Sequence, residues 1–472
     1  MSEASFDLIV IGGGPAGYVA SIRAAQLGMN VACIDKRETL GGTCLNVGCI
    51  PSKALLNASE KYSDAASGKL GDLGVQLGAV KLDLKAMMAS KGKIVSGLTG
   101  GIDHLFKKNK VTRLTGSALL KGDGIVEVAS GKKKNSYKAE KILIATGSEP
   151  TSLPNVEIDE KQIVSSKGAL ELTKVPKSLV VIGAGYIGLE MGTVWSRLGS
   201  KVEVVEYLPR ILPGMDLDVA NKFKAMMTKQ GLSFHLGTAV KSAKATKSGV
   251  ELTIADAKTN EEKTLKCGVA LVAVGRRPNI DGLGLEALGA ELTERGQIKV
   301  DEDFETNIEG VFAVGDVIPG PMLAHKAEED GVAAVEIMAG QSGHVDYDLV
   351  PGIVYTAPEI ATIGASEEVL KEKNIVGQTD ADQLSTVLAS YNLGPTNINK
   401  IASQINSDVQ TVSWTEIREK LKVIKGSELD LVDRESYSRG QQAIDYVDRV
   451  KSYYQLLSAH SCIAPKDQLI FF

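Results

Sequence analysis

The sequence is poor in cysteine, histidine and tryptophan. Its 472 residues include five cysteines, five histidines and two tryptophans. Five scattered cysteines are too few to hold a chain of this size together by disulfides, so the fold must depend on a hydrophobic core. With 43% apolar and 24% charged residues, the composition is that of a globular protein. A chain of this length has room for about two to four domains.

An excess of positive charge and long apolar runs are also missing. The formal net charge is -5, which argues against nucleic acid or an anionic membrane as the main partner. No apolar run approaches the roughly 18 to 20 residues that cross a bilayer. The first predicted strand begins close to Asp7 and leaves no room for a signal peptide. We therefore expect a soluble intracellular protein without a membrane or nucleic-acid partner, and we predict no metal site.

Glycine forms two short, regularly placed clusters. Residues 6–11 are a continuous apolar run, as in a buried parallel strand, and Gly12-x-Gly14-x-x-Gly17 follows directly. Residues 18–27 have helical spacing and 30–34 read as a second strand that ends at Asp35. Such glycines let the backbone approach a pyrophosphate, and the acid can bind a ribose hydroxyl. This βαβ unit predicts a dinucleotide site.

The same pattern returns in the second quarter of the chain. A predicted strand at 178–182 leads into Gly183-x-Gly185-x-x-Gly188, a helix at 189–198, and a strand at 201–205 that ends at Glu206. The offset from the first glycine to the acid is identical in both copies. Glu206 would accept a hydrogen bond from a 2′-hydroxyl and repel a 2′-phosphate, which favours NAD over NADP. Arg210 leaves that preference open.

Two of the few cysteines lie close together in a stretch from 41 to 53, Gly-Gly-Thr-Cys-Leu-Asn-Val-Gly-Cys-Ile-Pro-Ser-Lys. Four residues separate Cys44 from Cys49, and a helix is predicted to begin near Ile50, with Pro51 in its first turn. A helix N-terminus there would favour a thiolate. From spacing alone, a redox pair and two buried thiols that never meet are equally open.

Further strands break at small residues. A strand at 141–145 ends in Thr146-Gly147-Ser148, another at 269–274 ends at Gly275, and a third precedes Gly315-Asp316. Asp316 is placed to accept a hydrogen bond from a cofactor polyol, although a turn or helix cap explains it equally well.

Taken together, these motifs strongly resemble the dihydrolipoamide dehydrogenase family of class I pyridine nucleotide-disulfide oxidoreductases. The stretch 41–53 carries the resemblance, which covers about residues 5–375. Supporting segments lie at 145–148, 183–190, 275–279, 314–317, 322–327 and 354–359. The resemblance implies an α/β protein with two Rossmann-like dinucleotide-binding domains.

The resemblance also implies cofactors and their sites. FAD would be bound by residues of the first turn and the central segments: Gly12, Gly14, Gly17, Asp35, Lys36, Gly42, Thr43, Lys53, Thr146, Gly147, Ser148, Asp316, Met322, Leu323, Ala324 and His325. NAD would be bound by residues of the second turn and its surroundings: Gly183, Gly185, Tyr186, Ile187, Gly188, Glu190, Glu206 and Gly275. Lys53 would lie near the flavin and pair with Glu190.

The implied reaction is a relay. A dithiol substrate attacks a Cys44–Cys49 disulfide at Cys44, and electrons pass from Cys49 through FAD to NAD⁺. Lys53 and Glu190 complete the implied catalytic set. The substrate would be a lipoyl group carried by a 2-oxo acid dehydrogenase complex, and the family is homodimeric. The location would be the cytoplasm, or the mitochondrial matrix after processing.

The end of the chain departs from the family. The expected base is a histidine in a His-Pro-x-x-x-Glu segment supplied across the dimer interface, but His460 is followed by Ser461 and then Pro465 stands at the glutamate position. From about 376 the pattern predicts helices instead of an interface domain. One has helical spacing over 395–405, and another follows the capping-box pattern Ser413-Trp-Thr-Glu416. A replaced domain, a joined or shifted sequence, and divergence beyond alignment by eye all remain open.

The predicted domains are an FAD-binding first part at 1–148, an NAD-binding domain at 149–278, a second FAD-binding or central part at 279–350, and a mainly helical C-terminal domain at 351–472. Besides dithiol oxidation, two functions remain open. One is an NADH-dependent flavin reductase, or diaphorase, with little dithiol turnover. The other is a non-catalytic flavoprotein subunit whose helical tail binds a partner.

Overall fold

The computed structural model describes residues 5–372, 377–423 and 436–461. The chain separates into two compact units, Met1–Ile363 and Gly364–Phe472. Among the described residues, none of the helices has the length and apolar character needed to cross a bilayer. The same residues contain no cluster of His, Cys, Asp and Glu suited to hold a metal ion.

The first unit alternates strands and helices. Its strands are β1 Ser5–Ile11, β2 Val31–Asp35, β3 Thr112–Thr115, β4 Ser117–Gly122, β5 Ile125–Ser130, β6 Lys133–Ile144, β7 Ser148–Pro150, β8 Ile163–Val164, β9 Ser178–Ile182, β10 Lys201–Val205, β11 Leu232–His235, β12 Thr238–Thr246, β13 Gly249–Asp256, β14 Glu262–Cys267, β15 Val269–Val272, β16 Arg276–Pro278, β17 Val311–Ala313, β18 Gly352–Val354 and β19 Ile360–Thr362. Its helices are α1 Pro15–Gln26, α2 Gly42–Val47, α3 Cys49–Ala66, α4 Lys69–Asp72, α5 Leu84–Lys108, α6 Ser166–Ala169, α7 Tyr186–Arg197, α8 Leu217–Lys229 and α9 Ala324–Met338.

Two sheets organise this unit. The first has the order β3-β2-β1-β6-β5-β4, with β17 also paired to β6. Strands β1, β2, β3, β6 and β17 run parallel, while β4 and β5 form an antiparallel extension. The second sheet, β11-β10-β9-β15-β8, is parallel throughout. In each, the strand before the glycine turn lies where the strand order reverses, which is the position of ligand binding in doubly wound folds.

Burial explains the apolar runs. Leu8, Ile9 and Val10 of β1 are fully buried, and so is Leu179 of β9. Strands covered on both faces have no solvent side, so their sequences do not alternate. The predicted α/β class with two Rossmann-like units is confirmed, and β9 and β10 have the predicted bounds.

Segments that are distant in sequence pair within one sheet. Strand β17 pairs with β6, so the segment after 279 rejoins the first sheet. The sheet β12-β13-β14 follows the second dinucleotide unit and was not predicted. The finer division of the chain at 148, 278 and 350 stays a prediction.

The described part of the second unit is helical, as predicted. Its helices are α10 Glu367–Glu372, α11 Asp380–Leu393, α12 Pro395–Ile405, α13 Trp414–Val423 and α14 Ser436–Ser461. The Ser413 hydroxyl accepts a hydrogen bond from the Glu416 N–H at 3.3 Å, and the Ser413 N–H donates to the Glu416 carboxylate at 2.8 Å. This is the predicted capping box at the start of α13. Ile398, Ile417 and Ile444 lie in one buried cluster.

Pro465, which was compared with the family's glutamate position, lies outside the described residues. His460 falls within α14.

Candidate functional site

The first glycine turn brings the chain into close contact with itself. Gly12 has a φ of +110°, and a Cβ atom there would overlap the Ala145 carbonyl at the end of the neighbouring strand. A Cβ at Gly17 would overlap the Gly12 carbonyl, and Gly14 is the N-cap of α1. Because neither Gly12 nor Gly17 can carry a side chain, the turn exposes helix N–H groups at close range. Such a turn fits a pyrophosphate.

Asp35, at the end of β2, closes this turn. Its Oδ2 accepts a hydrogen bond from the Gly13 N–H at 2.7 Å, and its Oδ1 accepts one from the Arg37 N–H at 2.8 Å. These bonds fix the carboxylate, and each oxygen keeps acceptor capacity for a ribose hydroxyl. Lys36 follows as an exposed residue.

The second turn reproduces this geometry. Gly183 has a φ of +105°, and a Cβ there would overlap the Ala273 carbonyl. Glu206 accepts hydrogen bonds from the Ala184 N–H and the Leu208 N–H, both at 2.8 Å. The longer acid thus occupies the same place in its unit as Asp35 does in the first.

The remaining residues predicted for NAD lie around this turn. Gly185 is the N-cap of α7, and Tyr186, Ile187 and Gly188 form its first turn. Gly275, with a φ of +115°, is exposed just before β16. Arg210, which left the choice of dinucleotide open, donates a hydrogen bond from its guanidinium to the Met215 carbonyl.

Residues predicted for the flavin meet at the ends of β6 and β17. The Ser148 hydroxyl bonds to Asp316, which lies in a 3-10 turn, Gly315–Val317. Arg276 donates to the Ser148 hydroxyl at 2.7 Å. Thr146 Oγ1 is buried and has no hydrogen-bond partner among the described residues, and Gly147 has a φ of +71°. A buried hydroxyl without a partner is costly unless a ligand satisfies it.

The segment predicted to pass over the flavin edge begins α9. Met322 precedes the helix, Leu323 is its N-cap and Ala324 is its first residue. The exposed His325 forms a hydrogen bond between Nε2 and the Pro351 carbonyl at 2.9 Å.

The two cysteines lie on consecutive helices. Cys44 belongs to the short helix α2, and Cys49 is the first residue of α3. The chain folds back between them at Gly48, where a Cβ would lie 2.9 Å from the Thr43 carbonyl oxygen. Both cysteines are free thiols, and their side chains lie close enough for each to shift the pKa of the other. The spacing therefore brings the two sulfurs together, which excludes two thiols that never meet.

The two cysteines have shifted pKa values, in opposite directions. The hydrogen bond from Cys44, assisted by the Lys53 ammonium, lowers the pKa of Cys49 to about 7. The same bond, together with burial, raises the pKa of Cys44 well above its usual range. These shifts favour the thiolate on Cys49 over Cys44 in the dithiol form.

Lys53 and Glu190 form the ion pair that the resemblance implies. Lys53 Nζ lies 2.9 Å from Oε1 and 2.7 Å from Oε2 of Glu190. Glu190 is nearly fully buried, and it also accepts hydrogen bonds from the Ser52 hydroxyl at 2.8 Å and the Tyr355 N–H at 3.1 Å. Lys53 Nζ stands 4.6 Å from the centre of the Tyr355 ring. Every charge here has partners, as buried charges require.

Several contributors were not predicted from the sequence. Ser52 and Tyr355 hold Glu190, and Arg276 holds Ser148. The Tyr18 hydroxyl donates to the Glu328 carboxylate at 2.9 Å. Both side chains interact electrostatically with Cys44. Tyr18 directly follows the first glycine turn, which was the available signal. Its partner, Glu328, lies 310 positions further along the chain, and no sequence pattern pointed to it.

Comparisons with known proteins agree with this site. The sequence pattern of the family described as pyridine nucleotide-disulphide oxidoreductase matches residues 6–331. A leghemoglobin reductase of Glycine max is 54% identical over 370 residues, which cover 78% of this chain and 71% of that protein. A mitochondrial dihydrolipoyl dehydrogenase of Pisum sativum is 53% identical, with coverage of 78% and 74%. Dihydrolipoyl dehydrogenase 3 of Pseudomonas putida is 50% identical and covers 78% of each chain.

Two similar glycine turns, two neighbouring thiols and these matches have one common explanation. Family members use FAD and NAD, and the cradles at Gly12 and Gly183, with the unsatisfied Thr146 hydroxyl, fit such cofactors. The chain belongs to the pyridine nucleotide-disulphide oxidoreductase family, among its dihydrolipoyl dehydrogenases.

Proposed function

We propose that this enzyme oxidises a dihydrolipoyl dithiol to the disulfide and reduces NAD⁺. The observation that carries the proposal is the contact between Cys44 and Cys49, next to the first glycine turn and beside the Lys53–Glu190 pair. FAD would be held by the first turn with Thr146, Ser148 and Asp316, and NAD⁺ by the second turn with Glu206.

The thiol chemistry follows from the two different sulfurs. In the oxidised enzyme, a substrate thiolate attacks the sulfur of Cys44, breaks the Cys44–Cys49 bond and releases Cys49 as a thiolate. The second substrate sulfur then attacks the first substrate sulfur in the mixed disulfide. The substrate leaves as its disulfide, and Cys44 is released and takes up a proton. The enzyme has gained two electrons and the substrate has lost them.

The surroundings of Cys49 favour cleavage of the enzyme disulfide by the substrate. A thiol with a lowered pKa is a better leaving group, so the Lys53 ammonium near Cys49 assists cleavage of the enzyme disulfide. When bound, FAD supplies the two-electron chemistry that links the dithiol to NAD⁺. Glu190, fixed by Ser52 and the Tyr355 N–H, holds Lys53 in place.

The partners and setting are part of the same proposal. A lipoyl group on a 2-oxo acid dehydrogenase complex is the substrate we infer, and a homodimer is the assembly we expect. Two of the similar proteins above are a mitochondrial and a Pseudomonas dihydrolipoyl dehydrogenase, which supports a mitochondrial matrix or bacterial cytoplasmic location.

Anaerobic reduction followed by visible absorbance tests the function. Both dihydrolipoamide and NADH should bleach the flavin of the purified protein. The Cys49→Ser variant should retain bleaching by NADH and lose turnover of dihydrolipoamide, because one sulfur cannot form the disulfide. Cys267→Ser, in β14, is the matched control and should behave like the wild type.

Two results would contradict the proposal. If NADH bleaches the flavin and dihydrolipoamide does not, the protein is a diaphorase. If Cys49→Ser turns over dithiol at the wild-type rate, the two cysteines are not the route for electrons.

A further inference from the structure

Helix α9 carries two opposite charges that are completely buried. Lys326 and Asp330 have no exposed side-chain surface, and Lys326 Nζ lies 2.7 Å from Asp330 Oδ2. Moving two charges out of water is costly, and an apolar pair of similar size is often at least as stable. A buried ion pair therefore calls for a reason other than stability.

The partners of the pair supply that reason. Lys326 Nζ donates to the Gly315 carbonyl at 3.0 Å, and Asp330 Oδ2 accepts from the Gly315 N–H at 3.0 Å. Both backbone polar groups of one glycine are thus bound by the two members of the pair. The Tyr347 hydroxyl donates to the other oxygen of Asp330 at 2.9 Å, and Lys326 Nζ stands 4.8 Å from the centre of the Tyr347 ring.

The held glycine lies at a sensitive position. Gly315 has a φ of +76°, follows β17 by one residue and immediately precedes Asp316. A turn of this kind can shift by rotation of one peptide plane. The N–H and the carbonyl of Gly315 belong to the two peptide planes on either side of its Cα, so rotation of either plane breaks a charge-assisted hydrogen bond.

We propose that Lys326 and Asp330 are positioning residues that lock the Gly315 turn, so that Asp316 is already oriented when FAD binds. The pair touches no reacting atom. It acts through Gly315 by lowering the cost of ordering the turn when flavin arrives. This inference rests on the proposed FAD site and not on the identity of the dithiol substrate.

The test separates flavin affinity from stability. The double variant Lys326→Met/Asp330→Asn removes both charges together, so no unpaired buried charge is left. FAD is removed from the holoenzyme, the apoprotein is titrated with FAD by flavin fluorescence, and its thermal unfolding is recorded. We expect the FAD dissociation constant to rise about tenfold or more, the equivalent of losing one or two hydrogen bonds.

Lys91→Met is the matched control. Lys91 is also a buried lysine, and it donates to the Leu170 carbonyl and to Glu171, both at 2.6 Å. Neither partner belongs to the predicted flavin residues. We expect this variant to lower the unfolding temperature and to leave the FAD dissociation constant unchanged.

Clear outcomes overturn the proposal. Wild-type FAD affinity in the double variant, or an equal loss of affinity in Lys91→Met, would assign the pair to stability alone. If the double variant does not fold, Tyr347→Phe, which removes one hydrogen bond to Asp330, should weaken FAD binding by a smaller factor, and unchanged affinity there counts against the proposal. A wild type that binds FAD tightly but is not reduced by dihydrolipoamide contradicts the proposed function and leaves this inference standing.

Discussion

The two glycine turns of the first unit are alike in detail but differ in what lies over them. Each begins with a glycine of positive φ against a neighbouring strand, and each ends in an acid that accepts two backbone N–H groups. At the helix N-cap they diverge. A Cβ on Gly14 would lie 3.7 Å from the Cα of Gly42, at the start of α2, whereas a Cβ on the equivalent Gly185 would meet no atom within 4 Å. The approach is closer from the other side, because a Cβ on Gly42 would lie 2.5 Å from the Cα of Gly14.

We propose that this difference separates a resident cofactor in the first turn from an exchanging one in the second. The first turn is overlaid by the helix that carries Cys44, so a dinucleotide there is enclosed by the redox machinery. The second turn is open at the equivalent atom. The local βαβ sequence therefore specifies a dinucleotide cradle in both places, and the segment that follows decides whether the ligand is retained. Retention suits FAD, and free exchange suits NAD.

Gly42→Ala should produce the largest effect. The added methyl would force α2 and the first turn apart, at a cost of about 1–3 kcal/mol, or about ten- to a hundredfold in FAD affinity. Flavin content after purification and fluorescence titration of the apoprotein measure it. Gly28→Ala is the control, because Gly28 has a φ of +94° and no neighbour within 4 Å. Equal flavin loss in the two variants would mean that backbone strain, and not the overlay, is responsible.

Matched substitutions at the two acids should each affect a different cofactor, and both effects should be smaller than that of Gly42→Ala. Asp35→Asn and Glu206→Gln each place an amide where two backbone N–H groups need acceptors, so one of them loses its bond, at a cost of about 1–3 kcal/mol. We expect Asp35→Asn to weaken FAD retention about tenfold, with KM for NAD⁺ unchanged. Glu206→Gln should raise KM for NAD⁺ to a similar extent and keep full flavin content. Flavin loss in Glu206→Gln would contradict the assignment of the turns.

Sequence reasoning succeeded where the contacts are local. The strand, turn and acid of each βαβ unit, the helix α12 and the cap at Ser413 are all encoded within a few dozen residues, and all were found where predicted. The cysteine spacing left a redox pair and two separate thiols equally open, and in the structure the two thiols lie close enough to shift each other's pKa.

Long-range contacts explain what was missed. Glu190 accepts hydrogen bonds from Ser52, Lys53 and Tyr355, which come from segments far from it in the chain. Only the Lys53 contact was expected, from the family resemblance. The bonds of Lys326 and Asp330 to Gly315 depend on how α9 packs against the 3-10 turn Gly315–Val317. No periodicity in the sequence reports such packing, since it is decided by the tertiary fold and not by local propensity.

The Lys53–Glu190 pair joins α3, which follows the first turn, to α7, which begins at the second, and it gives the smallest predicted effect. Because the pKa of Cys49 is lowered to about 7, alkylation of the reduced enzyme by iodoacetamide should accelerate as pH rises through 7. Lys53→Met removes the nearby positive charge and leaves the Glu190 carboxylate, so less thiolate forms at neutral pH. The midpoint should move up by about one pKa unit or less, which corresponds to about 1.4 kcal/mol at most.

The opposite substitution fixes the sign. Glu190→Gln removes a negative charge that raises the pKa of Cys49, so its midpoint should move down, and Lys53→Arg, which keeps the positive charge, should stay near the wild type. If Lys53→Met and Glu190→Gln move the midpoint in the same direction, the pair affects the cysteines through packing and not through charge. Opposite shifts would show that the helix following the second turn tunes the sulfur chemistry built on the first.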